Sequence, residues 1–218
     1  MISEKIAEAL NIVYTYLTKK YTDAEVVRIC CSLDTITNIK HHYQISTLVK
    51  NYSYENVQNI LSTINEKENI RKKKDVYYTP SDVVQFMLYN SMKASTNKLN
   101  PQNIHVLDVN GLTYKSICMK KTIFDPTCGT GVFLLASLNT KFDLLDKNLK
   151  NVSSNMIKKV ISTIYGNDVN KDSTIITKIR LYLCALHRYG FKKIDGIETI
   201  LNTSFYNYDF VQNPIKNR

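Results

Sequence analysis

No run in this chain approaches the roughly 20 apolar residues that a membrane-spanning helix needs, so no segment reads as transmembrane. The opening residues, Met1-Ile2-Ser3-Glu4-Lys5, bring in an acid early and no long apolar stretch, against a secretory signal. Five cysteines (Cys30, Cys31, Cys118, Cys128 and Cys184) include no C-x-x-C pair. Zinc and a disulfide framework are therefore unsupported, and a reducing, cytoplasmic setting is the expectation. His41 and His42 fall in an expected helical stretch where both cannot face one metal, while His105 and His187 stand alone. No metal site is expected. Acids are short against bases, 19 to 29, leaving a net charge of +10. That balance favours a polyanionic partner, nucleic acid first, although the abundance of Lys, Asn, Ile and Tyr also fits an AT-rich coding sequence. Internal repeats and low-complexity tracts are missing too. What remains is 218 residues, 44% hydrophobic and 22% charged: one ordinary globular domain, or one carrying a helical extension.

Residues 1–74 read as a helical region. Ile6, Leu10, Val13 and Leu17 form an apolar stripe behind a Ser3 cap. Thr22-Asp23-Ala24-Glu25 has capping-box spacing, and Ser53 can cap a third helix through Val57, Ile60, Leu61 and Ile64. The basic run Ile70-Arg71-Lys72-Lys73-Lys74-Asp75 reads as a linker. From residue 75 to 218 strands and helices alternate, as in an α/β sheet. A cap at Tyr78-Thr79-Pro80-Ser81-Asp82 leads into a helix with Val83, Val84, Phe86 and Leu88. A small hairpin is expected within 104–119. Strands are expected at Thr122–Asp125, Ile164–Val169, Ile197–Leu201 and Tyr208–Gln212. Between them lie a helix over Gly131–Leu138, a polar connection from Lys141 to Asn155, a helix at Met156–Ile161, and an amphipathic helix over Asp172–His187 ended by Gly190.

Two of the chain's six glycines fall in one string, Phe124-Asp125-Pro126-Thr127-Cys128-Gly129-Thr130-Gly131-Val132-Phe133-Leu134. It reads as strand, glycine turn and helix start, a form that lets backbone approach a small ligand at the mouth of a parallel sheet. No Lys-Ser/Thr follows, which excludes a P-loop. The string from Asp125 to Leu134 resembles the first motif of DNA adenine-N6 methyltransferases, in particular the modification subunits of type I restriction-modification systems. Tyr77-Tyr78-Thr79-Pro80-Ser81-Asp82-Val83-Val84-Gln85-Phe86-Met87 resembles the family's upstream cofactor motif. Tyr165-Gly166-Asn167-Asp168-Val169-Asn170 resembles its strand ending in an acid. The resemblance spans residues 77–214.

It implies a partial Rossmann-like sheet in the order 3-2-1-4 that binds S-adenosylmethionine (SAM). Tyr78, Thr79, Pro80, Asp125, Gly129, Thr130, Gly131 and Asp168 are the implied cofactor residues, with Asp168 on the ribose diol. It implies transfer of a methyl group from SAM to the amine of an adenine flipped out of DNA. Asn213 and Pro214 match the start of the family's Asn-Pro-Pro-aromatic catalytic loop, where the Asn side chain and a proline carbonyl orient the amine. Ile215 and Lys216 depart from it. The chain is thus expected to stop at that loop, with a second polypeptide supplying the rest of the methyltransferase domain and DNA specificity. The alternative is a non-catalytic SAM-binding or assembly subunit that docks a partner chain.

Overall fold

The computed structural model describes residues 3–64, 79–95 and 119–210. The described architecture is α/β, mostly helical, around a small parallel sheet. Helices α1 (Glu4–Leu17), α2 (Asp23–Thr37) and α3 (Tyr54–Thr63) come first. Their starts follow the caps in the sequence. Ser3 Oγ accepts from Ile6 N at 3.2 Å, Ser53 Oγ from Asn56 N at 3.1 Å, and the Glu25 carboxylate from Thr22 N at 3.1 Å. Each contact satisfies a backbone donor that a helix end leaves without a partner. Helix α4 (Ser81–Ser95) follows.

Strand β1 (Ile123–Asp125) then leads through a glycine turn into α5 (Val132–Asn148), α6 (Ser154–Ile161) and β2 (Ile164–Asn167). After β2 come α7 (Lys171–Tyr189), α8 (Phe191–Ile194), α9 (Ile197–Thr203) and β3 (Phe205–Tyr206). All strand pairs are parallel, in the order β1-β2-β3, with Ile123 beside Ile164 and Gly166 beside Phe205. Helix α5 packs on β1 and β2, α7 packs on β3, and the two helices pack on each other. Helices α1, α2 and α3 also pack on α7, as do the short α8 and α9.

This cover changes the reading of α7. Every residue from Ser173 to Leu186 is buried except Lys178, which is half-buried. A helix surrounded on all sides need not be amphipathic. Lys178 ties the surrounding pieces together, its ammonium donating to the Ile36 carbonyl at 2.9 Å and to Asn202 Oδ1 at 2.8 Å. Burial and the neighbouring Lys171 push its pKa down to about 8. The expected boundary at residue 74 lies outside the described residues. On either side of it, Leu10, Ile29 and Leu61 share one core with Phe142, Ile176 and Leu183.

Several expectations are corrected. Ile197–Leu201 is helix, because Ile197 and Leu201, four apart, both bury against α2 and α6. The third strand is Phe205–Tyr206, between the two stretches expected to be strand. Residues 141–148 continue α5, since Lys141, Phe142, Leu144 and Leu145 are all buried. The Lys141 ammonium donates to the Lys121 carbonyl at 2.6 Å and to the Thr163 hydroxyl, holding the entries to β1 and β2 together. Tyr208–Phe210, expected to begin a fourth strand, is not strand, and 211–212 lie outside the described residues, as do the basic run and the hairpin as far as residue 118. His41 is in a loop, its Nε2 2.8 Å from Asn11 Oδ1. No described helix is long and apolar enough to cross a membrane.

A core shared across residue 74 predicts one cooperative unfolding transition. Leu61→Ala in α3 is expected to lower it by about 2–5 kcal/mol. In urea, far-UV circular dichroism and hydrogen exchange of α7 amides should shift together. Separate transitions for α1–α3 and the sheet would contradict the shared core.

Candidate functional site

Strands β1 and β2 lie side by side, so Asp125 and Asn167 end at the same edge of the sheet, where ligands of open α/β sheets bind. From Asp125 the chain turns back into α5. Asp125 Oδ1 accepts from Thr127 N at 3.1 Å, and Cys128 N donates to the Asn167 carbonyl at 2.8 Å. Gly129 N donates to Asp168 Oδ2 and Gly131 N to the Cys128 carbonyl, each at 2.8 Å. Gly131, at φ 80°, is the N-cap residue of α5. A Cβ there would overlap Thr177 Cγ2, so both the positive φ and the close approach of α7 require glycine.

Helix α7 holds the turn from the protein side. The Thr177 hydroxyl donates to the Gly129 carbonyl at 2.9 Å, and the Arg180 guanidinium to the Thr130 carbonyl. Thr130, expected among the cofactor contacts, is fully buried, and its hydroxyl donates to the Ser62 carbonyl at 3.0 Å. Its side chain therefore shapes the turn.

Asp168 bridges two backbones. Its Oδ2 meets Gly129 N, and its Oδ1 accepts from Asn170 N at 2.8 Å. A carboxylate oxygen can accept more than one hydrogen bond, so each retains capacity beyond its amide. Asn170 caps α7 by accepting from Asp172 N at 2.9 Å. Burial raises the Asp125 carboxyl above its usual range, with Asp168 adding repulsion against the Thr127 hydrogen bond. The Cys128 thiol is likewise pushed up, chiefly by burial and then by both carboxylates. Such a thiol is a poor nucleophile.

Asn167 has a role that sequence reading missed. Its Nδ2 donates to the Pro126 and Tyr208 carbonyls at 2.9 and 3.0 Å, and its Oδ1 accepts from Tyr208 N at 2.9 Å. One side chain thus joins the ends of β1 and β2 to the segment after β3. The available signal was a polar residue directly before the acid at a strand end. Beside it stand Val169, 75% exposed, and Tyr208, 51% exposed and stacked with Tyr206 at 6.0 Å. Phe210 comes to 5.8 Å from Phe124 on β1.

The structure thus brings Asp125, Gly129, Thr130, Gly131 and Asp168 into one turn. Thr79 and Pro80 are exposed at the head of α4, which packs on α5. Tyr78, Asn213 and Pro214 lie outside the described residues. A separate cleft of about 590 Å³ borders β3, lined in part by Ile36, Asn38, Lys171, Lys178 and Phe205. No family model, curated protein or solved structure matches the chain.

Two substitutions probe this geometry. Gly131→Ala is expected to destabilise the fold by about 2 kcal/mol or more in urea unfolding, through both positive φ and overlap. Asp125→Asn keeps an acceptor for Thr127 and removes a charge that folding disfavours. A carboxyl whose folded pKa is raised costs stability above that pKa and nothing below its unfolded value. The Asn variant should therefore melt higher than the parent at pH 7, with the gain gone by about pH 3.

Proposed function

We propose that this chain carries the SAM-binding site of a site-specific DNA adenine-N6 methyltransferase. The observation that carries the reading is the Asp168 carboxylate bonded to the amide of a positive-φ glycine turn, at the adjoining ends of two parallel strands. Bound SAM supplies an electrophilic methyl group on its sulfonium. Asp168 offers its remaining acceptor capacity to a ribose diol, and Val169 offers an exposed apolar surface beside it for the adenine ring. Thr79 and Pro80 stand at a helix N-terminus, a position suited to the methionine carboxylate. Asn213 and Pro214 orient the target amine. The net charge of +10 suits DNA as substrate.

The second reading, a non-catalytic SAM-binding or assembly subunit that docks a partner chain, is favoured by one surface. Val83, Phe86 and Met87 are 40%, 57% and 50% exposed on α4, at spacings that share a helix face.

Calorimetric titration of the full chain with SAM tests the cofactor. Saturable binding is expected, weakened about tenfold or more by Asp168→Asn, which removes one charged acceptor. Val169→Asp alters a side chain the fold does not bury, so it should weaken binding while leaving the melting temperature near the parent's. A cooperatively folded parent that takes up no SAM sinks both readings. A co-purified partner then separates them: restored methyl transfer to DNA supports the enzyme, and a stable complex without transfer supports the docking subunit.

A further inference from the structure

The glycine turn is also fastened to the helical extension. Gln58 on α3 and Arg180 on α7 are each 5% exposed. Arg180 Nε donates to Gln58 Oε1 at 3.0 Å, and Gln58 Nε2 donates to the Arg180 carbonyl at 3.0 Å and the Tyr54 hydroxyl at 3.1 Å. The same guanidinium donates through Nη1 to the Thr130 carbonyl, while the Thr130 hydroxyl reaches the Ser62 carbonyl just past Leu61. Two polar routes therefore run from α3 to one residue of the turn.

Plain packing does not require this chemistry. Burying a guanidinium is costly, and apolar side chains of similar volume would hold α3 on α7 at least as well. What the planar fork adds is direction, because it fixes where an acceptor must sit. Here one acceptor is the Thr130 carbonyl, between Gly129, whose amide meets Asp168 at a strand end, and Gly131, whose amide closes the turn on the Cys128 carbonyl.

We propose that α3 is a positioning element for the glycine turn. Gln58 orients Arg180, Arg180 and the Ser62 carbonyl hold Thr130, and Thr130 fixes the backbone of Gly129 and Gly131. The helical extension is in this sense part of the binding apparatus. Coupling of this kind is reciprocal, so a ligand seated on the turn stabilises α3 in return. That ligand-dependent half rests on the cofactor reading above.

Hydrogen exchange on the full, ligand-free chain tests the positioning role directly. Gln58→Met keeps the side chain's bulk and removes the acceptor for Arg180. It should speed exchange at Cys128, Gly129 and Gly131 about tenfold relative to the β2 amides of Tyr165 and Gly166. Thr130→Val leaves the Gln58–Arg180 contact in place and severs the Ser62 route, so it gives the same selective effect should Gln58→Met fail to fold. Thr130→Ser, which keeps the hydroxyl, should restore exchange to within about threefold of the parent. Acceleration spread evenly over the turn, β2 and α7, or none at all, overturns the proposal, since α3 then contributes stability without direction. Added SAM should further protect the α3 amides of Val57 and Leu61. A parent that does not bind SAM overturns the cofactor reading, while the ligand-free exchange still decides the positioning role.

Discussion

The structure depends on the enclosure of α7. With α5 and β3 on one side and α1, α2 and α3 on the others, this helix has almost no solvent face. Enclosure makes partners inside the protein valuable to the polar groups on it. Thr177 and Arg180 meet that demand with the carbonyls of Gly129 and Thr130. The hydrogen bonds that make the core tolerable are therefore the ones that shape the glycine turn, and fold and candidate site rest on one set of contacts.

Local signals were legible in the sequence where a single side chain decides the outcome. Ser3, Thr22 with Glu25, and Ser53 announced their helices, and Gly190 announced the end of α7. The glycine string also announced its turn, because φ 80° at Gly131 with Thr177 pressed against it leaves no other residue. Readings failed where tertiary context decides. Ile197–Leu201 carries β-branched residues that suggest a strand, yet burial against α2 and α6 selects helix. Lys141 made a polar connection plausible because its carbonyl and hydroxyl partners come from the segments entering β1 and β2. The amphipathic reading of Asp172–His187 missed that three helices from the start of the chain close over it. No pattern within α7 could disclose that cover.

The site residues divide the same way. Asp125, Gly129, Gly131 and Asp168 were identifiable as a group through family resemblance, and the structure brings them together. Their bonding was not legible, because Gly129 and Asp168 meet across strands far apart in sequence. Asn167 escaped notice for the same reason: its three hydrogen bonds reach Pro126 and Tyr208. A carboxyl pushed toward its neutral form at Asp125, next to a second carboxylate, costs the fold stability. Such costs concentrate where a protein keeps groups for something other than folding.

The enclosure of α7 also sets an order of events during synthesis. Helices α1, α2 and α3 leave the ribosome first, with the apolar faces that will cover α7 still uncovered. Their partner emerges only after the stretch from α3 through β2 has been made, on the order of ten seconds later at about 5–20 residues per second. Throughout that interval Leu10, Ile29 and Leu61 have no finished core to enter. The nascent chain is therefore most exposed to aggregation before α7 is complete, and chaperone demand should fall once that helix is free to pack.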